Sequence, residues 1–271
     1  MHIAVCVKQV PDTTEVRIDP ETNTLVREGV PSILNPYDAH AAEAAVQIKE
    51  RYGAHVTVVC MGPPQATEVI RECISYGADR GILLSDRAFA GSDTWATSYT
   101  IGLALQRLDR EHGLDMVLCG MQAIDGDTAQ VGPGLARRLD VPQLTYAVGV
   151  EEIDLETRKA KVLRRLERGV EVVETALPCL LTCVEEMNEI RYSSLPDMIR
   201  AARYQPEVWG KPDLDADENL LGLKGSPTMV NRIFPPPVRE PGEIIPGGKE
   251  DPAAAASMLA DKLVELVQGK A

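Results

Sequence analysis

Asp115–Leu139 reads DMVLCGMQAIDGDTAQVGPGLARRL: a short apolar run, a glycine-rich loop and then an amphipathic run. The apolar run DMVLCG is predicted as a buried strand, and the residues from about Asp127 to Leu139 as a helix. The loop inside Cys119–Ala136 therefore lies where a strand hands over to a helix. In a parallel sheet that is the carboxyl edge, where ligands bind in open α/β folds. Gly120 and Gly126 allow close backbone approach to a ligand. Asp127 and Thr128 are expected to cap the new helix, whose first N–H groups suit an anion such as phosphate. Gln122 and Gln130 add amide donors and acceptors. The stretch equally fits an ordinary strand-to-helix connection with a polar cap. It is neither G-x-G-x-x-G nor a Walker loop, so spacing alone leaves both readings open.

The first half of the chain repeats this alternation. HIAVCV (His2–Val7), HVTVVCM (His55–Met61) and GILLS (Gly81–Ser85) read as strands. Helices are predicted over Pro36–Tyr52, about Pro64–Tyr76 and about Asp93–Glu111. VRID and TLVRE, on either side of Pro20-Glu21-Thr22-Asn23, read as a short hairpin. Beyond Val141-Pro142 the runs VGVEEIDL, KAKVLRRLE and GVEVVETAL suggest an antiparallel extension, and CLLTCV returns to the core. From about Pro206 the sequence is rich in Pro and Asp and reads as an extended arm without its own core. The arm ends in a helix over Asp251–Gln268 whose Met258, Leu259, Leu263, Leu266 and Val267 form one apolar stripe. A partner subunit or the chain's own domain could bury that stripe. The expected class is α/β: a mostly parallel, Rossmann-like sheet with helices on both faces, an antiparallel extension and a C-terminal arm with a helix. The expected division is a nucleotide-binding domain over 1–205 and an arm over 206–271.

Composition excludes more than it identifies. With 41 acidic against 28 basic residues the formal charge is −13, which argues against nucleic acid as a partner. The six cysteines form no C-x-x-C pair, and most lie in or beside apolar runs, as small buried hydrophobes do in a reducing compartment. Cys179 and Cys183 share one face of a strand-like run with no histidine nearby. No metal site and no catalytic constellation is expected, since His2, His40, His55 and His112 are scattered. No apolar run is long enough to span a membrane, and Met1 leads straight into a strand, so a cytoplasmic protein without membrane insertion is expected.

Several segments together resemble the beta subunit of electron-transfer flavoproteins. They are VKQVPD (Val7–Asp12), the helix start Asn35-Pro36-Tyr37-Asp38, MGPP (Met61–Pro64), YGADRGILLSDRAFAGSDTWATSYT (Tyr76–Thr100) and GMQAIDGDTAQVGP (Gly120–Pro133). The similarity runs in order through nearly the whole chain. It implies an adenine-nucleotide-binding α/β fold paired with an alpha subunit that carries a redox-active FAD. The matching pocket positions are Cys6, Asn35, Pro36, Tyr37, Asp38, Met61 and Gly120 through Pro133, including Gln122, Ala123, Asp125 and Asp127. Backbone near Cys6 and Met61 would meet the adenine, and Thr128, Ala129, Gln130 and Val131 the phosphates. AFAGSDTWATSYT (Ala88–Thr100) and GLKGSPTMVNRIFPPP (Gly222–Pro237) are similar to the electron-bifurcating branch. That similarity implies FAD rather than AMP in the beta pocket, with Asp93, Thr94 and Thr97 as ligand candidates. By the same resemblance NADH is the electron donor, and the two electrons part. One goes to a low-potential carrier such as ferredoxin or flavodoxin, the other through the alpha-subunit FAD to an acyl-CoA dehydrogenase-type partner.

RYSSLPDMIRA (Arg191–Ala201) is similar to that family's partner-recognition loop. Leu195 would enter a dehydrogenase pocket and Pro196 stiffen the loop, with Tyr192 and Met198 beside them. Two alternatives stand next to the two-flavin reading: a one-flavin subunit holding AMP, and a stand-alone stress-type nucleotide-binding domain. An ATP-using transferase of related fold lacks its phosphate-loop signature here.

Overall fold

The computed structural model of the chain describes residues 1–12, 17–18, 25–26, 31–231, 242, 244–245 and 248–269. Strand β1 (His2–Val7) is buried along its whole length and forms the spine of the sheet. Its alternate residues serve opposite faces, as period 2 demands. Ile3, Val5 and Val7 join one apolar cluster, Ala4 and Cys6 the other. Two short antiparallel ladders follow: β2 (Gln9–Pro11) with β5 (Ser32–Leu34), and β3 (Arg17–Ile18) with β4 (Leu25–Val26). The second is the expected hairpin; its turn, Pro20–Asn23, lies outside the described residues.

Helix α1 (Pro36–Tyr52) starts on a proline and stops at Gly53, whose φ of 69° is the left-handed geometry that favours glycine. Ala39, Ala41, Ala42, Ala44 and Ala45 are buried along it, so a small-residue face lets the helix lie close to the sheet. Strand β6 (His55–Met61), helix α2 (Thr67–Tyr76) and strand β7 (Arg80–Leu84) come next. They lead to helix α3 (Thr94–His112), strand β8 (Met116–Gly120) and helix α4 (Val131–Leu139). Strands β9 (Gln143–Asp154), β10 (Lys159–Leu166) and β11 (Gly169–Ala176) form the antiparallel extension, and β12 (Cys179–Cys183) returns to the centre. Helix α5 (Leu195–Arg203) precedes the edge strand β13 (Glu207–Trp209), and two single turns follow, α6 (Lys211–Leu214) and α7 (Gly222–Gly225).

These strands make one nine-stranded sheet in the order β11-β10-β9-β12-β8-β1-β6-β7-β13. Only β10 runs against both of its neighbours. Helices α1, α2 and α5 cover one face over Val58, Leu83 and Met116; α3 and α4 cover the other over Ile82, Val117 and Leu180. This is the mostly parallel α/β sandwich that the alternation predicts, and it brings the ends of β1, β6 and β8 to one edge.

Residues from 206 onward join the sheet further than their composition suggests. Glu207–Trp209 pairs with β7, and Trp209, Leu214 and Leu221 are buried on the α3 face. The first compact unit accordingly runs Met1–Ile233 and the second Phe234–Ala271. Pro and Asp set turns here, but the apolar residues between them still find a core. Within the second unit, helix α8 (Pro252–Val267) is capped by Asp251, whose carboxylate accepts from Ala254 N–H at 3.0 Å. Met258, Leu259, Leu263, Leu266 and Val267 are exposed on it. Among the described residues no helix is long and apolar enough to cross a membrane.

Candidate functional site

Two loops meet at the carboxyl edge, and two buried side chains of the Asn35–Asp38 turn join them. Asp38 accepts the backbone N–H of Lys8 on Oδ2 and that of Gly120 on Oδ1, both at 2.8 Å. Asn35 donates its amide to the carbonyl of Gln122 at 2.8 Å and accepts the N–H of Ile124 at 3.1 Å. Its own N–H reaches the carbonyl of Lys8 at 3.0 Å. Lys8 completes the knot, with its ammonium 2.6 Å from the Asp125 carboxylate. The loop after β1 and the loop after β8 are thus held by the start of α1. Burial pushes the Asp38 carboxyl up to about 7, against the hydrogen bonds from Gly120 and Lys8 that favour its charge. Burial also pushes the Cys6 thiol far up and that of Cys60 to about 12, so neither is a nucleophile.

The expected helix start at Asp127 is corrected. α4 begins at Val131, and neither Asp127 nor Thr128 caps it; Gln130 stands at the cap position without a side-chain bond to the helix. Asp127 and Ala129 instead adopt positive φ, 50° and 53°, where side chains are seldom found. The left-handed Ala129 followed by the right-handed Gln130 makes a backbone concavity of the kind that binds anions. Among the described residues no acceptor takes the N–H of Thr128, Ala129 or Gln130. The first N–H groups of α4 lie directly behind. The anion-binding argument therefore stands on different atoms: a nest and a helix start replace a capped helix.

The glycines also act otherwise than expected. A Cβ at Gly120 would meet Asp38 Oδ1 at 2.5 Å and Tyr37 Cβ at 2.6 Å, so its bareness admits the start of α1. A Cβ at Gly126 would meet nothing within 4 Å. Gly132 is the close approach that spacing missed, facing Thr182 Cγ2 at 2.6 Å and seating α4 on β12.

The other expected pocket positions gather at the same edge. Cys6 is the penultimate residue of β1, in register with Val59 and Cys119. Met61 ends β6 and Gly120 ends β8. Tyr37 and Ala123 are partly exposed; Pro133 occupies the third position of α4, where no N–H is needed. Gln122 spends its amide on Asp127 at 2.9 Å. Thr94 donates to the side-chain oxygen of Gln130 at 2.9 Å, joining α3 to the nest, and Thr97 lies one turn further along α3. Asp93 caps α3 through Trp95 and Ala96 N–H groups at 2.9 and 3.0 Å. Beside it Trp95 is exposed, and the Arg138 guanidinium lies 4.8 Å from its ring centre; sequence reasoning singled out neither. A cleft of about 980 Å³, lined by His2, His55, Arg80 and Arg158 among others, lies at the opposite edge of the sheet.

Within the Arg191–Ala201 segment, residues 191–194 are loop and the chain turns helical from Leu195. Ser194 caps α5, Leu195 is its first residue, and Pro196 sits at the second position, which tolerates a missing N–H. Leu195 is 69% exposed, and Tyr192 and Met198 project beside it. Arg191 anchors the segment through Glu43 at 2.7 Å and Glu50 at 2.6 Å on α1.

The electron transfer flavoprotein domain model matches residues 22–213. The chain is 51% identical over 266 residues to the caffeyl-CoA reductase-Etf complex subunit CarD of Acetobacterium woodii, covering 98% of each. It is 48% identical over 265 residues to the electron transfer flavoprotein subunit beta of Clostridium acetobutylicum, again covering 98% of each. Protein FixA of Azotobacter vinelandii is 47% identical over 97% of this chain and 94% of its own length. Matched along nearly its entire length by such relatives, the chain belongs to the electron transfer flavoprotein family as a beta-type subunit.

Proposed function

We propose that this chain pairs with an alpha subunit and holds FAD at its carboxyl edge, as the NADH-oxidising half of an electron-bifurcating flavoprotein. The observation that carries the nucleotide part is the nest at Ala129–Gln130 in front of α4, where unpartnered N–H groups converge. These donors suit the pyrophosphate of a dinucleotide or the phosphate of AMP. The Asn35–Asp38 knot supports the reading, because it fixes the loop against the strand ends where an adenine would lie. A flavin bound there supplies hydride acceptance from NADH and onward transfer of single electrons, while the protein supplies position and electrostatics. The nest residues hold the phosphates, and Thr94 holds Gln130 in place. Thr97 and the exposed Trp95 line the approach along α3.

The acceptors are a low-potential carrier of the ferredoxin or flavodoxin kind and, through the alpha-subunit FAD, an acyl-CoA dehydrogenase-type partner. The caffeyl-CoA reductase named with the Acetobacterium relative supports a partner of that chemistry. The exposed stripe of α8 supports a role for the arm in gripping the alpha subunit. The second reading is a subunit holding AMP, which the same phosphate donors would serve.

Acid release of nucleotide from the purified heterodimer tests the choice. FAD in excess of one per heterodimer with no AMP supports the bifurcating reading; AMP beside a single FAD replaces it. Leu195 tests the dehydrogenase contact. Burying such a side chain is worth about 1.5–3 kcal/mol, so Leu195→Ala should slow electron transfer to the dehydrogenase about tenfold or more. Flavin content should not change. Transfer at the wild-type rate would remove Leu195 from the contact.

A further inference from the structure

Asp93 joins two segments of the first unit. One oxygen serves Trp95 and Ala96 at the start of α3; the other accepts the N–H of Thr228 at 3.0 Å and its hydroxyl at 2.8 Å. A Cβ at Gly91 would lie 2.6 Å from Leu223, so residues 222–228 lie close on residues 88–93. Between them Trp95, Lys224, Ser226 and Pro227 line a hollow of about 480 Å³. Leu223 precedes Lys224, and Met229 and Val230 follow Thr228, so four exposed apolar side chains, Trp95 included, collect beside this hollow. Contiguous apolar surface of this kind marks an interaction site. Two cations border it. Lys224 lines the hollow, and the Arg138 guanidinium lies 4.8 Å from the Trp95 ring centre and 5.2 Å from that of Tyr99. Arg138 donates to the Ser98 hydroxyl at 3.2 Å and the Trp95 carbonyl at 3.1 Å. Among the described residues no carboxylate pairs with either cation. The carboxylates of the underlying segment, Asp86 and Asp93, are spent on N–H and hydroxyl groups. The patch is therefore basic, within a chain whose formal charge is −13.

We propose that this patch docks the low-potential electron carrier, a small protein with an acidic face around its redox centre. Trp95 is the apolar anchor, and Arg138 and Lys224 are the charges that steer it. This rests on the bifurcating reading given above. Charge selects the partner: unpaired cations beside an exposed indole attract carboxylates and speed encounter. Position selects its task. Thr94, one residue from Trp95, holds Gln130 of the nest at 2.9 Å, so a protein docked on Trp95 stands beside the nucleotide. Size agrees as well, since a few exposed side chains suit the small interface of a transient electron-transfer encounter. For each NADH oxidised to NAD⁺ and H⁺, one electron leaves here to the carrier and the other by the alpha-subunit FAD.

The test uses the flavin-loaded heterodimer and measures its dissociation constant for a purified acidic ferredoxin, and for an acidic flavodoxin, in low and high salt. Lys224 is exposed, so Lys224→Glu should fold as the wild type does and bind the carrier about tenfold or more weakly in low salt. The difference should shrink in high salt, where screening removes it. Arg138→Gln, which keeps a donor for Ser98, should show a smaller loss in the same direction. Trp95→Ala should lose about tenfold or more in either salt, because its contribution is apolar burial. The KM for NADH should stay within about twofold in Lys224→Glu and Arg138→Gln. Wild-type carrier affinity in either Lys224→Glu or Trp95→Ala overturns the proposal. A rise of about tenfold in the KM for NADH in Lys224→Glu also overturns it, by giving the hollow to the donor. So does a weaker heterodimer in that variant, which would give the patch to the alpha subunit. A wild-type heterodimer that binds neither carrier, while NADH bleaches both of its flavins, overturns only this inference. A single flavin that NADH leaves oxidised removes the bifurcating reading as well.

Discussion

Replacing Gly120 with alanine is expected to destabilise the chain by about 2–6 kcal/mol and to abolish nucleotide retention. The added methyl would lie 2.5 Å from Asp38 Oδ1, 2.6 Å from Tyr37 Cβ and 2.8 Å from Asp38 N. Two of these belong to rigid parts of the first turn of α1, so the helix start must move away from β8. Overpacking of this kind costs about 1–3 kcal/mol. The movement also lengthens the 2.8 Å bond from Gly120 N–H to Asp38, and a buried donor left without its acceptor costs about 1–3 kcal/mol more. Against a total stability of about 5–15 kcal/mol this is a large fraction, visible as a melting point lower by roughly 10 °C. Gly126→Ala is the control, since its Cβ meets nothing within 4 Å. Its melting point should match the wild type. Equal melting points for Gly120→Ala and the wild type would refute the packing account of this edge.

That contrast between two glycines of one loop marks what the sequence could and could not disclose. The sheet was legible because its strands are short apolar runs and its helices place alanine, leucine and isoleucine at helical spacing; α1 and β6 fall on the expected residues. The loop was legible as a place but not as a geometry. Positive φ at Ala129 has no signature in local propensity, because alanine has no preference for that region. The first half of the loop is held by partners far away in the chain, Asn35 on Ile124 and Lys8 on Asp125. Asn35 and Asp38 were expected as ligand positions, yet their side chains are spent on backbone. Lys8 and Thr228, whose contacts span more than a hundred residues, carry no local signal at all. Asp93 offered the reverse lesson: a good cap residue that also takes a second, long-range partner.

Asp38 should make stability fall as pH rises towards neutrality. Its carboxyl titrates at about 7 in the folded chain against an ordinary value of 3.8, with burial the main cause. Between those values the folded state keeps a proton that the unfolded state has released. The stability that this proton contributes is complete below the unfolded value and is lost as pH rises through the folded one, at up to about 1.4 kcal/mol per pH unit. Asp38→Asn has no such group. It also turns an amide N–H₂ towards one of two backbone donors, Lys8 or Gly120, and so loses one of the two bonds, at about 1–3 kcal/mol. The wild type should therefore exceed Asp38→Asn most at pH 5.5, and the gap should narrow by pH 8. Urea unfolding of both proteins at the two values checks this. A gap that is constant or widens with pH would mean that Asp38 is ionised throughout.

The proposed FAD at the nest has one stoichiometric consequence. Titration of the purified heterodimer with NADH under anaerobic conditions, followed by flavin absorbance, tests it directly. Two flavins per heterodimer, both bleached by NADH, are expected if this chain holds FAD at the Ala129–Gln130 nest. A single flavin that NADH leaves oxidised, with AMP recovered from the protein, would contradict the account.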